Sequence, residues 1–245
     1  MTACELKPSR HSHGAVALLG VITFCVAALA QDPSGRMLSS SVLVFAAVRE
    51  KGKPVPVNRA GGFLLDARHV MTNVKDCCAV TQKGQQPVPV VVAGKDSAVG
   101  KVIWSSQESE TAILELDNPL GDAALTIAPT KLTRKGQDVY TVQYADSGPP
   151  KLGPGKLQDL VKVKDSNLPI YQTTAPMADG NSGGALFDAC GNVIGVNLLV
   201  KDGIGYAVAI DPLLGALESA GLKATQAAKP CGGESAGHSS ENQAD

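Results

Sequence analysis

Short runs of β-branched and other apolar residues, separated by glycine, proline and lysine, dominate the chain from residue 41 to residue 209. Such runs, bounded by turn-forming residues, are typical of β-strands. The first six predicted strands lie at 42–48, 62–65, 70–72, 88–92, 101–104 and 111–116. Six more lie at 138–143, 155–161, 169–174, 184–187, 193–199 and 205–209. Two series of six short strands predict an all-β protein built from two six-stranded antiparallel β-barrels.

A short helix and a polar tail are predicted after the last strand. Asp211 is suited to cap a helix whose first residue is Pro212, and Gly221 ends the pattern. We therefore predict a C-terminal helix over 212–220, with an apolar face made by Leu213, Leu214, Leu217 and Ala220. Small and polar residues follow, which predicts a disordered tail over 226–245.

The N-terminal segment has the pattern of a secretory signal peptide. Lys7 and Arg10 precede an apolar run over 15–30, which ends in Ala-Leu-Ala. The run is shorter than the about 20 residues that a membrane-spanning helix needs. We expect residues 1–30 to be a signal peptide and the protein to be secreted or periplasmic, without stable membrane insertion after cleavage. An uncleaved anchor is the alternative.

Charge and cysteines narrow the class of protein further. The formal net charge is −1, which gives no electrostatic reason to expect binding to nucleic acid. Two of the six cysteines, Cys4 and Cys25, belong to the predicted signal peptide. No C-x-x-C spacing with histidines indicates a metal site, so we expect neither a metal nor a cofactor. A bridge between adjacent cysteines is strained, so we expect the four others to form bridges between Cys77 or Cys78 and Cys190 or Cys231.

The run Gly-Asn-Ser-Gly-Gly over 180–184 is the strongest candidate for a catalytic feature. A serine between glycines on a tight turn exposes its hydroxyl, and the glycines allow a substrate backbone to approach. The N–H groups of Gly180 and Ser182 could converge on a carbonyl oxygen as it gains charge. A plain surface turn is the alternative interpretation of this run.

Further motifs accompany this turn in a fixed order. Together they resemble the trypsin-like serine proteases, and most closely the protease domain of the HtrA/Deg type. The matching segments are Gly-Gly-Phe-Leu-Leu-Asp over 61–66, Thr-Asn-Val-Lys-Asp over 72–76, Glu-Thr-Ala-Ile-Leu over 110–114, Gln-Thr-Thr-Ala over 172–175 and Gly-Ile-Gly-Tyr-Ala-Val over 203–208.

The resemblance covers roughly residues 40 to 220 and implies a chymotrypsin-like domain over 31–225. Barrel one would span about 40–120 and barrel two about 121–210, with the site in the cleft between them. HtrA-type proteins usually carry a peptide-binding PDZ domain after the protease domain, and the predicted tail is too short for one.

The resemblance assigns Ser182 as nucleophile, but Lys75 stands where the family has its general-base histidine. Glu110 occupies the position of the triad acid, where the family has aspartate. His69 lies six residues before Lys75 on a predicted strand, and His238 lies in the predicted tail. At about 3.3 Å per strand residue, His69 would be roughly 20 Å away. We therefore expect neither histidine to act as the base.

Two interpretations of Lys75 follow. A lysine can serve as a base only after losing its proton, which requires burial away from carboxylates. Asp76 is adjacent and Glu110 is expected nearby, so the first interpretation is a Lys75–Glu110 ion pair that closes an inactive site. The second is that Lys75 is a non-standard general base. For Glu110 itself, an ordinary surface glutamate is an equal alternative.

The resemblance also places a specificity pocket at Met177, Leu199 and Gly205. With no acidic residue there, the pocket would accept a small or medium apolar side chain. We therefore expect a protease homologue without its standard base that binds extended peptides or proteins along the cleft. The alternatives are an active serine endopeptidase with an unusual base, and an interaction module without a functional cleft. The last would leave the serine turn unexplained, and Met177 and Leu199 could equally be core residues.

Overall fold

The computed structural model describes residues 32–232 except 122–124, 146–147, 163–166 and 179. The predicted signal peptide, with Cys4 and Cys25, lies outside the described residues, as does His238. Most of the regular elements in the described chain are β-strands, as predicted. Within these residues no helix is long and apolar enough to cross a membrane.

Barrel one is a closed sheet in the strand order β1-β2-β3-β6-β5-β4, and all its pairings are antiparallel. Apolar residues such as Val44, Leu64 and Leu114 fill its interior. The β1–β2 hairpin turns at Lys51 and Gly52, which both have the positive φ of a tight two-residue loop. The strands are β1 Ser41–Glu50, β2 Lys53–Asp66, β3 His69–Asn73, β4 Val88–Ala93, β5 Asp96–Ser106 and β6 Thr111–Leu116.

Barrel two closes in the order β11-β8-β9-β10-β13-β12, because β12 also pairs with β11. Two short strands, β7 and β14, extend the sheet from β12 by parallel pairing. Tyr171, Leu186 and Ile194 are fully buried in its interior. The strands are β7 Thr126–Ile127, β8 Asp138–Gln143, β9 Lys151–Lys162, β10 Pro169–Thr173, β11 Ala185–Asp188, β12 Val193–Lys201, β13 Ile204–Ala209 and β14 Thr225–Gln226.

A third apolar cluster joins the two barrels. Phe63 and Ile113 come from barrel one, whereas Phe187 and Val196 come from barrel two, and Leu213 of the C-terminal helix completes the cluster. These side chains are all nearly inaccessible to solvent. Burial of this apolar surface on both sides fixes the barrels against each other, so residues from distant parts of the chain can form one site.

In the described part of the chain, three α-helices accompany the barrels: α1 Pro33–Ser40, α2 Val74–Cys78 and α3 Asp211–Ser219. A single 3-10 turn covers Thr130–Leu132. We did not predict α1, although its start has a sequence signal. The carboxylate of Asp32 accepts from the Gly35 N–H, and Pro33 occupies the first turn. Helix α3 begins one residue earlier than predicted, and Asp211 belongs to the helix while Ile210 is its N-cap.

The predicted start of the disordered tail is wrong. Residues 226–232 are described and attached to barrel two, because β14 pairs with β7 and the Ala227 N–H donates to the carbonyl of Ile127. Arg134 also donates to the Cys231 carbonyl, at 3.4 Å. The rest of the predicted tail, 233–245, lies outside the described residues.

The predicted disulfide pairing is also wrong. Cys190 is bonded to Cys231, with Cα atoms 5.7 Å apart, and the adjacent Cys77 and Cys78 are paired with each other. The physical reason is that the two pairs of cysteines lie in different barrels. Cys77 and Cys78 lie in α2 and are buried in the core of barrel one, whereas Cys190 lies in the β11–β12 turn of barrel two. The Cys190–Cys231 bond attaches the C-terminal segment to barrel two.

Candidate active site

The serine turn is packed against barrel one. Gly183 has φ +87°, and a Cβ there would overlap the backbone nitrogen of Asn73 and lie 2.7 Å from the Gly61 carbonyl oxygen. Only glycine fits at such a position. The Gly61 N–H also donates to the carbonyl of Ser182, at 2.9 Å. The run of glycines is thus explained by close contact between β2, β3 and the turn.

The N–H groups of the turn fall into two sets. Those of Asn181, Gly183 and Gly184 donate to backbone carbonyls of Ala178, Asn197 and Asn181 respectively. Those of Gly180 and Ser182 have no acceptor among the described residues. Gly180 has φ +87° and lies in the same turn. These two free donors are the ones that an oxyanion would need.

The hydroxyl of Ser182 is half-buried and donates to the carbonyl of Leu198, at 2.9 Å. Leu198 belongs to β12, two residues beyond the segment that pairs with β11. The proton of the candidate nucleophile is therefore directed at the backbone and not at a side-chain base.

Lys75 lies in the first turn of α2. The helix begins where β3 ends because the Asn73 side chain caps it, accepting from the Asp76 N–H at 3.0 Å. The Lys75 side chain is exposed. A lysine can take the proton of a serine only where burial away from carboxylates has removed its own proton, and this position is not buried.

Glu110 contacts the start of α2 through its backbone and also lines the cleft. Its carbonyl accepts from the N–H of Val74 at 2.9 Å, and its φ of +50° is unusual for glutamate. The predicted ion pair is wrong: within the described part of the chain, Lys75 and Glu110 do not approach within 4.0 Å. Both nevertheless line one cleft.

Asp76 is the carboxylate of this site whose pKa is shifted by its surroundings. Partial burial raises the pKa of its carboxyl, and the charge of Glu110 raises it further. A hydrogen bond from the Asn58 amide, at 3.2 Å, and the charge of Lys75 oppose this rise. Asp76, Lys75 and Glu110 therefore interact electrostatically.

His69 is separate from the site, as expected. It begins β3, and its Nδ1 lies 2.8 Å from the Asp66 carboxylate, with its side chain 20% exposed. Neither residue lines the cleft around Ser182. His69 and Asp66 close the β2–β3 turn, which is a structural role.

The cleft has a volume of about 590 Å³ and brings most of the predicted site residues together. Among those that line it are Lys75, Glu110, Gly180, Ser182, Met177 and Leu199. Gly205 lies behind Met177, because a Cβ on Gly205 would be 3.0 Å from the Met177 methyl carbon. Gly205 itself is not among the residues that line the cleft, whereas Leu199 lines it and is 47% exposed.

Sequence reasoning missed several residues of the cleft. Arg59 of β2 lies against the serine turn, since a Cβ on Gly180 would be 2.7 Å from its Nε. Asn58 and the Leu198 carbonyl were also missed. No local signal marks Arg59, because its neighbours in the cleft come from far along the sequence. The Asn73 cap could have been found from its position before an apolar residue and an acidic one.

A cluster of Asp188, Cys190 and Cys231 has the spacing of potential metal ligands. The two sulfurs are bonded to each other, and the Asp188 carboxylate accepts from N–H groups of Cys190 and Asn192, each at 2.9 Å. These bonds give the cluster a structural role in the β11–β12 turn.

Comparison with known sequences identifies the family to which this chain belongs. The family described as a trypsin-like peptidase domain matches residues 57–196. Protease Do-like 1 of Arabidopsis thaliana chloroplasts is 25% identical over 178 residues, covering 67% of this chain and 39% of that protein. The periplasmic serine endoprotease DegP of Salmonella typhimurium is 28% identical over 170 residues, covering 64% and 33% respectively. The chain thus spans about two fifths or less of the length of these relatives.

Solved structures share the fold. The Rv3671c protease of M. tuberculosis in its active form superposes with a TM-score of 0.64 at 20% identity, covering 80% of this chain and 87% of that one. Its inactive form gives a TM-score of 0.62 at 21% identity, covering 76% and 91%. The two-barrel, chymotrypsin-like architecture is therefore common to these proteins.

Proposed function

The chain belongs to the trypsin-like peptidase family, and from this premise we propose that it is a pseudoprotease of the HtrA/Deg type. Its cleft would bind extended peptides or proteins without hydrolysing them. Ser182 and the free N–H groups of its turn would be retained, while Lys75 would replace the general base and Glu110 the acid.

One observation carries the proposal: the Ser182 hydroxyl donates to the Leu198 backbone carbonyl in a cleft that no described histidine lines. A serine hydroxyl attacks poorly unless a neighbouring base accepts its proton. Loss of the base from a serine triad lowers turnover by up to about 10⁶. The remaining donors of the turn would supply only a residual acceleration of roughly 10³ over water.

The properties of Lys75 also support the absence of a base. Its side chain is exposed, and two carboxylates, those of Asp76 and Glu110, line the same cleft. The charge of Lys75 acts on Asp76, which requires the two groups to be close. A lysine base needs a dry site without opposite charge, and the position of Lys75 offers neither.

Peptide binding is supported by the free edge of β12. Leu199 and Val200 pair with β13 on one side, and no described strand pairs with them on the other. Their side chains are 47% and 46% exposed. A sheet edge beside a cleft can accept an extended peptide as an additional strand, with backbone hydrogen bonds giving affinity. The pocket at Met177 would favour small or medium apolar side chains.

An active endopeptidase remains the second candidate, because Lys75 and Ser182 line one cleft with the two free N–H groups. Such an enzyme would cleave after small or medium apolar residues with Lys75 as base. The two candidates differ in a direct assay of the purified protein with casein and with peptides containing apolar cleavage sites, near neutral pH. We expect no turnover. Turnover that disappears in Ser182→Ala would refute the pseudoprotease, and its loss in Lys75→Ala would identify Lys75 as the base.

We also propose that the protein is exported to the periplasm or beyond. The N-terminal signal pattern supports this, as does the Cys190–Cys231 bond, since disulfides persist in oxidising compartments. DegP of Salmonella typhimurium is periplasmic by name. N-terminal sequencing of the protein from the periplasmic fraction should find a start near residue 31, and a product that keeps residues 1–30 would contradict cleavage.

A further inference from the structure

Three hydrogen-bond donors around Ser182 lack an acceptor within the described residues. They are the N–H groups of Gly180 and Ser182 and the ammonium of Lys75. All three residues line one cleft. The Arg59 side chain lies against Gly180 and adds positive charge beside the same turn. Free N–H donors combined with an ammonium group favour an anionic acceptor over a neutral one.

The direction of β12 determines which end of a bound peptide would reach these donors. The Leu198 carbonyl contacts Ser182, and β12 continues from there through Leu199 and Val200. A peptide that pairs antiparallel with this edge must run from Val200 toward Leu198. Antiparallel pairing is slightly more stable per residue than parallel pairing. The C-terminal side of the peptide would therefore arrive at Ser182.

We propose that the cleft captures the C-terminal carboxylate of an extended peptide. One carboxylate oxygen accepts from the N–H groups of Gly180 and Ser182, and the other accepts from the Lys75 ammonium. This inference rests on the proposed function, whose ligand it specifies. Charge-assisted hydrogen bonds are roughly twice as strong as neutral ones, so a carboxylate gains more here than the carbonyl of an internal peptide bond.

A second groove offers the competing arrangement, in which the peptide continues past Ser182. This groove, of about 450 Å³, is lined by Lys75, Asp76 and the exposed Val57 and Val80. A continuing peptide would present only a neutral carbonyl at the turn and would leave the Lys75 ammonium without a hydrogen-bond acceptor. The terminal arrangement satisfies all three donors.

The acidic residues of the cleft do not abolish this preference. Asp76 and Glu110 balance the charges of Lys75 and Arg59 over the cleft as a whole. The Asp76 carboxylate already accepts from the Asn58 amide, at 3.2 Å. The affinity for an anion therefore depends on which groups it contacts, and the N–H groups of Gly180 and Ser182 are donors without an acceptor among the described residues.

The test compares mixed-sequence hexapeptides ending in alanine, valine or leucine, supplied as free acids and as C-terminal amides. A third set carries two further residues and an amide. Purified full-length protein is immobilised, and retained peptides are quantified by mass spectrometry. We expect the acids to be enriched at least about tenfold over both amide sets, as a charge-assisted contact implies. Lys75→Gln should remove most of this enrichment, whereas Lys101→Gln, on the exposed face of β5, should preserve it.

The outcomes separate this inference from the proposed function. Equal retention of acids and amides would overturn the carboxylate site while leaving a peptide-binding pseudoprotease intact. Undiminished enrichment in a folded Lys75→Gln variant would overturn the role of Lys75. Retention of no peptide by folded protein would overturn both proposals. Cleavage of the extended amides that is lost in Ser182→Ala would overturn the pseudoprotease.

Discussion

The Oγ atom of Ser182 lies 2.9 Å from the carbonyl oxygen of Leu198 and donates its proton to it. This bond joins the serine turn to the start of the free β12 edge. It directs the hydroxyl proton to an acceptor that cannot serve as a general base, because a backbone carbonyl does not take up a proton in this pH range. In the pseudoprotease that we propose, the free edge that begins at Leu198 would bind peptide, while Ser182 would lack a side-chain proton acceptor.

Gly183→Ala should lower the free energy of unfolding by about 2–5 kcal/mol. The estimate combines about 1–2 kcal/mol for a non-glycine residue at positive φ with about 1–3 kcal/mol for overpacking. The overpacking arises because the new Cβ would overlap the backbone nitrogen of Asn73. Urea denaturation followed by fluorescence measures the loss.

Gly52→Ala is the matched control for this substitution. Gly52 has φ +79°, close to the +87° of Gly183, but no atom lies within 4 Å of its added Cβ. It should lose only about 1–2 kcal/mol, from the backbone conformation alone. Equal losses in the two variants would contradict the close contact between the serine turn and barrel one.

Cys231→Ser should lower the free energy of unfolding of the oxidised protein by about 2–4 kcal/mol. The Cys190–Cys231 bond closes a loop with a sequence separation of 41, and its loss increases the conformational freedom of the unfolded chain. Non-reducing peptide mapping should recover the Cys190 and Cys231 peptides joined. A map that joins either of them to Cys77 or Cys78 would contradict the pairing in the structure.

Asp76→Asn should change the pH dependence of stability. Burial raises the pKa of Asp76 above its ordinary value of 3.8, so the folded protein binds this proton more tightly than the unfolded chain does. Stability from Asp76 is fully present below pH 3.8 and is lost as the pH rises through the raised value. The variant lacks this loss. Its free energy of unfolding relative to wild type should therefore be greater at neutral pH than below pH 3.8.

Asp159→Asn is the control, because its effect on stability should change with pH in the opposite direction. The hydrogen bond from Lys135 lowers the pKa of the exposed Asp159. Its contribution is therefore present above the ordinary value and is lost as the pH falls through the lowered one. Relative to this variant, wild type should lose a small amount of stability on acidification. If the stability difference between wild type and variant changed with pH in the same direction for Asp76→Asn and Asp159→Asn, this result would contradict the burial effect at Asp76.

Most of the fold was predictable because the strands carry local signals. Runs such as 42–48 and 111–116 are apolar, β-branched and bounded by turns, and both are strands of barrel one. The disulfide pairing was not predictable, because it depends on which barrel each cysteine enters. Cys231 reaches Cys190 only because β14 pairs with β7, and a two-residue strand leaves almost no pattern in the sequence.

The site was predictable where motifs mark it and not where distant strands meet. Ser182, Lys75 and Glu110 were found from local motifs, and all three line one cleft. Arg59 approaches Gly180 across the interface between the barrels, which no local pattern encodes. The expected Lys75–Glu110 ion pair failed because side-chain distances depend on backbone details such as the positive φ of Glu110.

In the pseudoprotease that we propose, the site lacks a working base and its orienting acid, while Ser182 and the free N–H groups of its turn keep a productive arrangement. Lys75→His combined with Glu110→Asp should restore both groups. Aspartate is also tolerated better than glutamate at the φ of +50° of residue 110. Lys75→His alone should gain less, because the longer Glu110 side chain would orient the imidazole poorly. The added Ser182→Ala substitution is the control for labelling at other sites.

The most direct test is the rate of covalent labelling by a fluorophosphonate, followed by intact-protein mass spectrometry near neutral pH. We expect the double variant to label at least about tenfold faster than wild type, toward the roughly 10²–10⁴ that a well-placed general base contributes. Labelling should disappear when Ser182 is alanine. An unchanged rate in a folded double variant would contradict the claim, because it would mean that the serine turn itself cannot support the reaction.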